Sequence, residues 1–296
     1  MLGLYLEYLK AKGDKARTIE WHAQKLEIFK QWLLTTGVRN RPVREDIIYD
    51  YMDYRRQQGK SSNTIEGDVR CLASMFSWAY AQGYISANPC ANIKKPKATP
   101  CEEDPFTPSE VAKMLCYLEP NQDELSIRNT AIVLFLYDTG IRTTAMCNIK
   151  AGDMDFENRQ VMVTEKYGKR KRLSWGDRTH DALKRYEKAR SDNEYFFVSR
   201  RGCKLTRSGI YSMVQKLCVA SGVRRRKVHL FRSAYSCEFL TVGGPERGWQ
   251  LQFILGHADM SQIKNVYGRK VMNQLTNKTM QELSPADRLD LLGANR

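Results

Sequence analysis

Four short stretches of this sequence carry side chains that could do chemistry on an anion. Leu136-Tyr-Asp-Thr-Gly-Ile-Arg142 ends an apolar run in a glycine and sets an arginine two residues later, where a backbone turn can hold it rigidly. In Lys166-Tyr-Gly-Lys-Arg-Lys-Arg172 five of seven residues are cationic, too many to be mutually satisfied without an anion nearby. His229-Leu-Phe-Arg232 would present imidazole and guanidinium together on a helix, because positions i and i+3 share a face. In the fourth stretch, Leu255-Gly-His257 is followed ten residues later by Tyr267. Each has an ordinary reading by itself: a surface arginine, a solvated charge run, a chance four-residue pattern, a capping histidine beside a half-buried tyrosine. Taken together, the residue types allow anion binding by the cations, proton transfer by imidazole and attack by a phenol oxygen.

The chain around them is long enough, at 296 residues, for two ordinary domains. Lys and Arg number 48 against 33 Asp and Glu, a formal charge of +15, so the protein attracts polyanions, and nucleic acid is the commonest of these. Eight cysteines are widely spaced without a C-x-x-C pair, which suggests neither a zinc module nor a disulfide framework. Reduced thiols and a cytoplasmic, nucleoid-associated protein are expected. No apolar run nears the roughly 20 residues of a membrane helix, so no membrane partner is expected. The first residues lack a secretory pattern.

Helices are predicted over the opening leucines (Leu2, Leu4, Leu6 and Leu9), over 18–34 and 44–58, and from a cap at Ser62 or Asn63 to about Tyr80. Residues 93–106 hold three prolines and three lysines and read as a basic linker. Thr107-Pro-Ser-Glu110 then looks like a helix start. A buried helix is predicted over 127–137, and strands over 160–164 and 171–175 flank a glycine turn to make a β-hairpin. His22 and His180 lack a partner pattern and are expected at the surface. The expected fold is mostly α in two domains: a helical domain over 1–92, the linker 93–106, a mixed α/β domain with a small antiparallel β-sheet over 107–270, and a tail over 271–296.

The order arginine, lysine-bearing hairpin, H-x-x-R, Leu-Gly-His and tyrosine resembles the tyrosine recombinases of the phage integrase family. The similarity includes Thr18-Ile, Gly59-Lys-Ser-Ser-Asn-Thr-Ile65, Phe76-Ser-Trp-Ala79 and Gly83-Tyr-Ile-Ser-Ala-Asn-Pro89 in the first domain, and Asp153-Met-Asp155 ahead of the hairpin. Too few residues precede Leu4 for a further arm-binding domain, so a short integrase or Xer-like chain is implied. The resemblance implies a helical core-binding (SAM-like) domain, a catalytic domain, and site-specific recombination through a 3′-phosphotyrosyl intermediate without metal, cofactor or ATP. Arg142 and Arg232 would clamp the scissile phosphate, Tyr267 would attack it, and His229 would serve as general base. His257 would hydrogen-bond the phosphate, and Lys166 would protonate the departing 5′ oxygen. Lys169 stands as the alternative, because the turn can be aligned either way.

DNA contacts are expected from Lys60, Lys94, Lys95, Lys97, Lys169, Arg170, Lys171, Arg172, Arg200, Arg201 and Arg225. The implied partners are double-stranded DNA sites, bound as a homo-tetramer in the synapse by a protein that is a monomer in free solution. The tail would dock on the neighbouring subunit, with packing on its own domain as the alternative. A type IB topoisomerase and a catalytically silent DNA-binding protein are the competing readings. Two positions depart from the family pattern. Ala145 stands where an acidic residue commonly follows the first arginine, so whatever orients Arg142 must come from elsewhere. Tyr267 lies ten residues after His257, where nine is frequent.

Overall fold

A computed structural model describes residues 1–37, 42–94, 96, 104–164, 168 and 170–256. The chain divides into two compact units, Met1–Glu102 and Glu103–Arg296.

The first unit contains α1 (Leu2–Ala11), α2 (Ala16–Thr35), α3 (Glu45–Gln57) and α4 (Ser62–Ala81). Their apolar stripes meet in one core of Tyr5, Leu9, Leu26, Phe29, Trp32, Ile48, Tyr51, Leu72 and Phe76. The face of α1 differs from its leucine spacing: Tyr5 and Leu9 point inward while Leu4 is exposed. The cap of α4 is Ser61, whose Oγ accepts from Thr64 N at 3.3 Å, so neither Ser62 nor Asn63 fills that role. His22 is half-buried, not on the open surface, with Nδ1 3.3 Å from Tyr5 Oη and 3.2 Å from Cys71 Sγ. Asp68 is only 1% exposed and takes Arg55 Nε at 2.7 Å and Lys25 Nζ at 2.5 Å. That ion cluster pins α2, α3 and α4 to one another.

In the second unit α5 (Pro108–Leu118) opens with a capping box between Thr107 and Glu110. The central helix α6 (Glu124–Thr139) starts three residues earlier than its apolar pattern, because Asp123 caps it through Leu125 N and Ser126 N. It packs against α5, α8 (Asp177–Ala189) and α10 (Leu230–Gly243), which explains why it is apolar on nearly every side. The short α7 (Thr143–Cys147) follows. The strands β1 (Met154–Asp155), β2 (Gln160–Thr164) and β3 (Arg170–Ser174) then form an antiparallel sheet in the order β1-β2-β3. Helices α9 (Arg207–Ala220) and α11 (Gly248–Leu255) are the remaining α-helices of the unit among the described residues. His180 is partly buried, and its Nδ1 accepts from Trp175 Nε1 at 3.5 Å, so it too departs from its expected surface position.

The sheet register decides which hairpin cations face outward. Val161 pairs with Leu173 and Val163 with Lys171, while Met162 pairs with Arg172. Side chains two apart on a strand share a face. Lys171 therefore lies on the inward side with the buried Val161, Val163 and Leu173, whereas Arg170 and Arg172 are exposed on the other. Among the described residues no helix is long and apolar enough to cross a membrane, and the seven cysteines there form no disulfide.

Candidate active site

The turn after α6 is built around Gly140. It adopts φ +56°, a left-handed conformation that favours glycine, and its amide caps the helix by donating to Leu136 O. A Cβ there would lie 2.7 Å from Tyr235 Cδ1 and 3.2 Å from Leu255 Cδ2. Both backbone shape and packing thus require glycine, and the same packing brings α10 and α11 against this turn. Ile141 is buried beyond it, and Arg142 becomes the N-cap residue of α7, half-buried and fixed in extended backbone.

Arg232 lies one helical turn after His229 and is 4% exposed. Its guanidinium donates through Nη1 to Gly140 O at 2.8 Å and through Nη2 to Leu255 O. Arg142 Nη2 donates to the next carbonyl, Gly256 O, at 3.4 Å. Lys171 Nζ reaches the preceding one, Ile254 O, at 2.7 Å. Three cations from three separate elements therefore meet three consecutive carbonyls at the C-terminal end of α11. Those carbonyls lack partners inside the helix and carry the negative end of its dipole, so cations belong there.

His229 keeps an accessible edge at the start of α10. Burial of the rest of the ring, then the charges of Arg232 and Arg142, lower its pKa from the ordinary 6.5. Both arginines act on the imidazole, so the three groups share one neighbourhood. At neutral pH the ring is uncharged and can accept a proton. Tyr235, nearer to Arg232 in sequence than any other tyrosine, is a poor nucleophile: burial and Asp138 push its phenol up to about 12, against a smaller lowering by Arg232.

The sequence profile of the phage integrase family matches residues 105–274, and that of the phage integrase SAM-like domain matches residues 2–95. The chain belongs to the phage integrase family. It is a tyrosine recombinase. Tyrosine recombinase XerC of Bacillus pumilus is 27% identical over 282 residues, covering 88% of this chain and 89% of its own. Tyrosine recombinase XerD of Listeria innocua is 26% identical over 262 residues, covering 84% and 87%. Among solved structures, the Tn1549 transposon integrase in complex with a circular intermediate DNA is 17% identical with a TM-score of 0.77, covering 95% of this chain and 98% of that one. A lambda integrase dimer bound to a COC′ core site is 19% identical with a TM-score of 0.71, covering 88% and 95%. The fold of this recombinase is theirs: mostly helical, in two domains, with a small antiparallel sheet.

Of the residues expected to act in this recombinase, Arg142, His229 and Arg232 are brought together. Lys166, Lys169, His257 and Tyr267 lie outside the described residues, as do Lys95, Lys97 and the tail 271–296. Lys60, Lys94, Arg170, Arg172, Arg200, Arg201 and Arg225 are exposed, as DNA contacts must be. Lys171 is not, and its bond to α11 removes it from the outward-facing group. Within the cationic run 224–227, Arg226 pairs with Glu110 at 2.5 Å and lies over the Phe106 ring, and Phe106 stacks on Phe231. Arg226 thus ties the loop before His229 to α5. Among the described residues no group of three or more His, Cys, Asp or Glu could hold a metal ion. Pattern reading missed the carbonyls of residues 254–256, since any residue supplies a carbonyl; the helix-ending Gly256, at φ +60°, was the one visible sign.

Proposed function

We propose that this tyrosine recombinase cuts and rejoins specific double-stranded DNA sites through a covalent bond on Tyr267. What carries the reading is the meeting of Arg142, Arg232 and an uncharged His229 directly before the segment that holds His257 and Tyr267. Two guanidiniums match the non-bridging oxygens of a phosphodiester and keep their protons at any working pH. Stabilisation of this kind contributes on the order of 3–4 kcal/mol per donor in well-studied sites. His229 takes the phenol proton as Tyr267 Oη attacks phosphorus, and His257 hydrogen-bonds the phosphate. The P–O5′ bond breaks, the 5′ oxygen takes a proton from Lys166 or Lys169, and a 3′-phosphotyrosyl link remains. Attack by a partner strand's 5′-hydroxyl reverses the step, so bond energy is conserved and no ATP is consumed.

Exposed Arg170 and Arg172 beside the hairpin turn suit phosphate contacts, and the net charge of +15 favours DNA throughout. The working assembly is a homo-tetramer on two synapsed sites. In support, Val242, Trp249 and Phe253 on and beside α11 expose large apolar surfaces, the kind that mark protein contacts. A suicide substrate that traps the covalent adduct tests the chemistry. Tyr267→Phe is expected to abolish the adduct while DNA binding persists; an adduct formed by this variant would show that the nucleophile lies elsewhere.

A further inference from the structure

Lys171 does not behave as the hairpin's other cations do. It sits on the inward face of β3, opposite Val163, and crosses 83 positions of sequence to donate to Ile254 O at 2.7 Å. The next two carbonyls, Leu255 O and Gly256 O, are the ones that receive Arg232 and Arg142. A charged hydrogen bond at this length is among the stronger ones a lysine makes, and it fixes the last turn of α11 to the sheet. Displacing that turn would move two acceptors that hold the guanidiniums.

We propose that Lys171 is a positioning residue of the recombination reaction: it anchors the C-terminal turn of α11 so that the carbonyls of Leu255 and Gly256 present Arg232 and Arg142 to the scissile phosphate. The turn serves as a resident acceptor set, holding the cations in place before DNA arrives. Because the hairpin carries Lys171 on one face and Arg170 and Arg172 on the other, a hairpin seated on DNA transmits its position directly to α11. The inference rests on the reading that Arg142 and Arg232 bind the phosphate.

The experiment compares wild type, Lys171→Met and Lys171→Arg in the full chain on a suicide DNA substrate, measuring affinity, its salt dependence, and adduct formation at saturating protein. If the anchor positions the arginines, Lys171→Met loses roughly 10- to 100-fold in saturating rate, as small misplacements in active sites do. Affinity and salt slope stay at the wild-type values, and Lys171→Arg recovers most of the rate because it also donates to a carbonyl. A Lys171→Met that cleaves at the wild-type saturating rate while its salt slope falls by about one would make Lys171 a plain phosphate contact and overturn the proposal. A substrate with sulfur in place of the bridging 5′ oxygen adds an independent test, since a thiolate leaves without a proton. Full rescue of Lys171→Met on it would make Lys171 the proton donor and also overturn the proposal; no rescue supports positioning. Absence of adduct in the wild type would instead remove the underlying reading of the site.

Discussion

Replacing Gly140 with alanine strains the turn in two separable ways. An L residue in the left-handed region costs about 1–2 kcal/mol through its Cβ. The same Cβ would meet Tyr235 Cδ1 at 2.7 Å and Leu255 Cδ2 at 3.2 Å, and overpacking of a core costs about 1–3 kcal/mol more. Gly222 is an internal control: its φ is +67° but nothing lies within 4 Å of a Cβ there, so Gly222→Ala meets only the first cost. Gly140→Ala should thus destabilise the second unit by about 1–3 kcal/mol beyond Gly222→Ala. Hydrogen exchange across a denaturant series, read on peptides from 104–256, resolves this unit within the full chain. Tyr235→Ala removes the nearest contact, so the double variant should lose less than the two single losses summed. Because Gly140 O and Leu255 O both hold Arg232, the adduct rate at saturating DNA should fall as well. Equal losses for the two alanine variants, or strict additivity with Tyr235→Ala, would refute the claim that this turn is packed without room.

Two further outcomes are expected. The second-order rate of adduct formation, which reports the free enzyme, should show an acid limb centred below 6.5, since burial and the two arginines lower His229; His229→Gln should remove that limb. Between its folded pKa and 6.5 the unfolded imidazole binds protons more readily than the folded one, so stability should fall as pH drops through that window, and less so in the variant. In the first unit, Asp68→Asn leaves the buried Arg55 without its counter-charge and should cost about 3–5 kcal/mol, read on peptides from 1–94. A loss below about 1 kcal/mol there would mean that the cluster is solvated, contrary to its burial.

How much could be read in advance follows the distance between partners in sequence. Helical stripes are local, and α2, α3 and α4 stand where the apolar spacing put them. The hairpin was equally legible, because a glycine turn after the β-branched run Gln160–Thr164 is a local signal. The face of α1 was not: Leu4 repeats with its neighbours, yet Tyr5 is the residue that bonds Ser74, 69 positions away. His22 looked partnerless for the same reason, since Cys71 lies 49 residues away, whereas the partner of His180, Trp175, is only five residues off and carries no partner pattern in the sequence. In the site, Arg142, His229 and Arg232 were legible as types in an order. Their acceptors were not, because Arg232 reaches backbone oxygens 92 and 23 residues distant.

The departure at position 145 acquires a physical meaning from those acceptors. Ala145 is buried in the core of the second unit, and its methyl group offers Arg142 no acceptor. Arg142 is held instead at the end of α11, by a carbonyl on a helix terminus that carries roughly half an elementary charge shared over its last turn. Such a terminus orients a guanidinium while neutralising less of it than a full carboxylate would. Electrostatic stabilisation is strongest when donors are fixed beforehand in a partly dry site, and the backbone oxygens that accept from Arg142 and Arg232 are acceptors that no change of pH can protonate away. With alanine at position 145, Arg142 and Arg232 take backbone carbonyls of Gly140, Leu255 and Gly256 as acceptors, and burial and those two charges keep His229 uncharged at neutral pH.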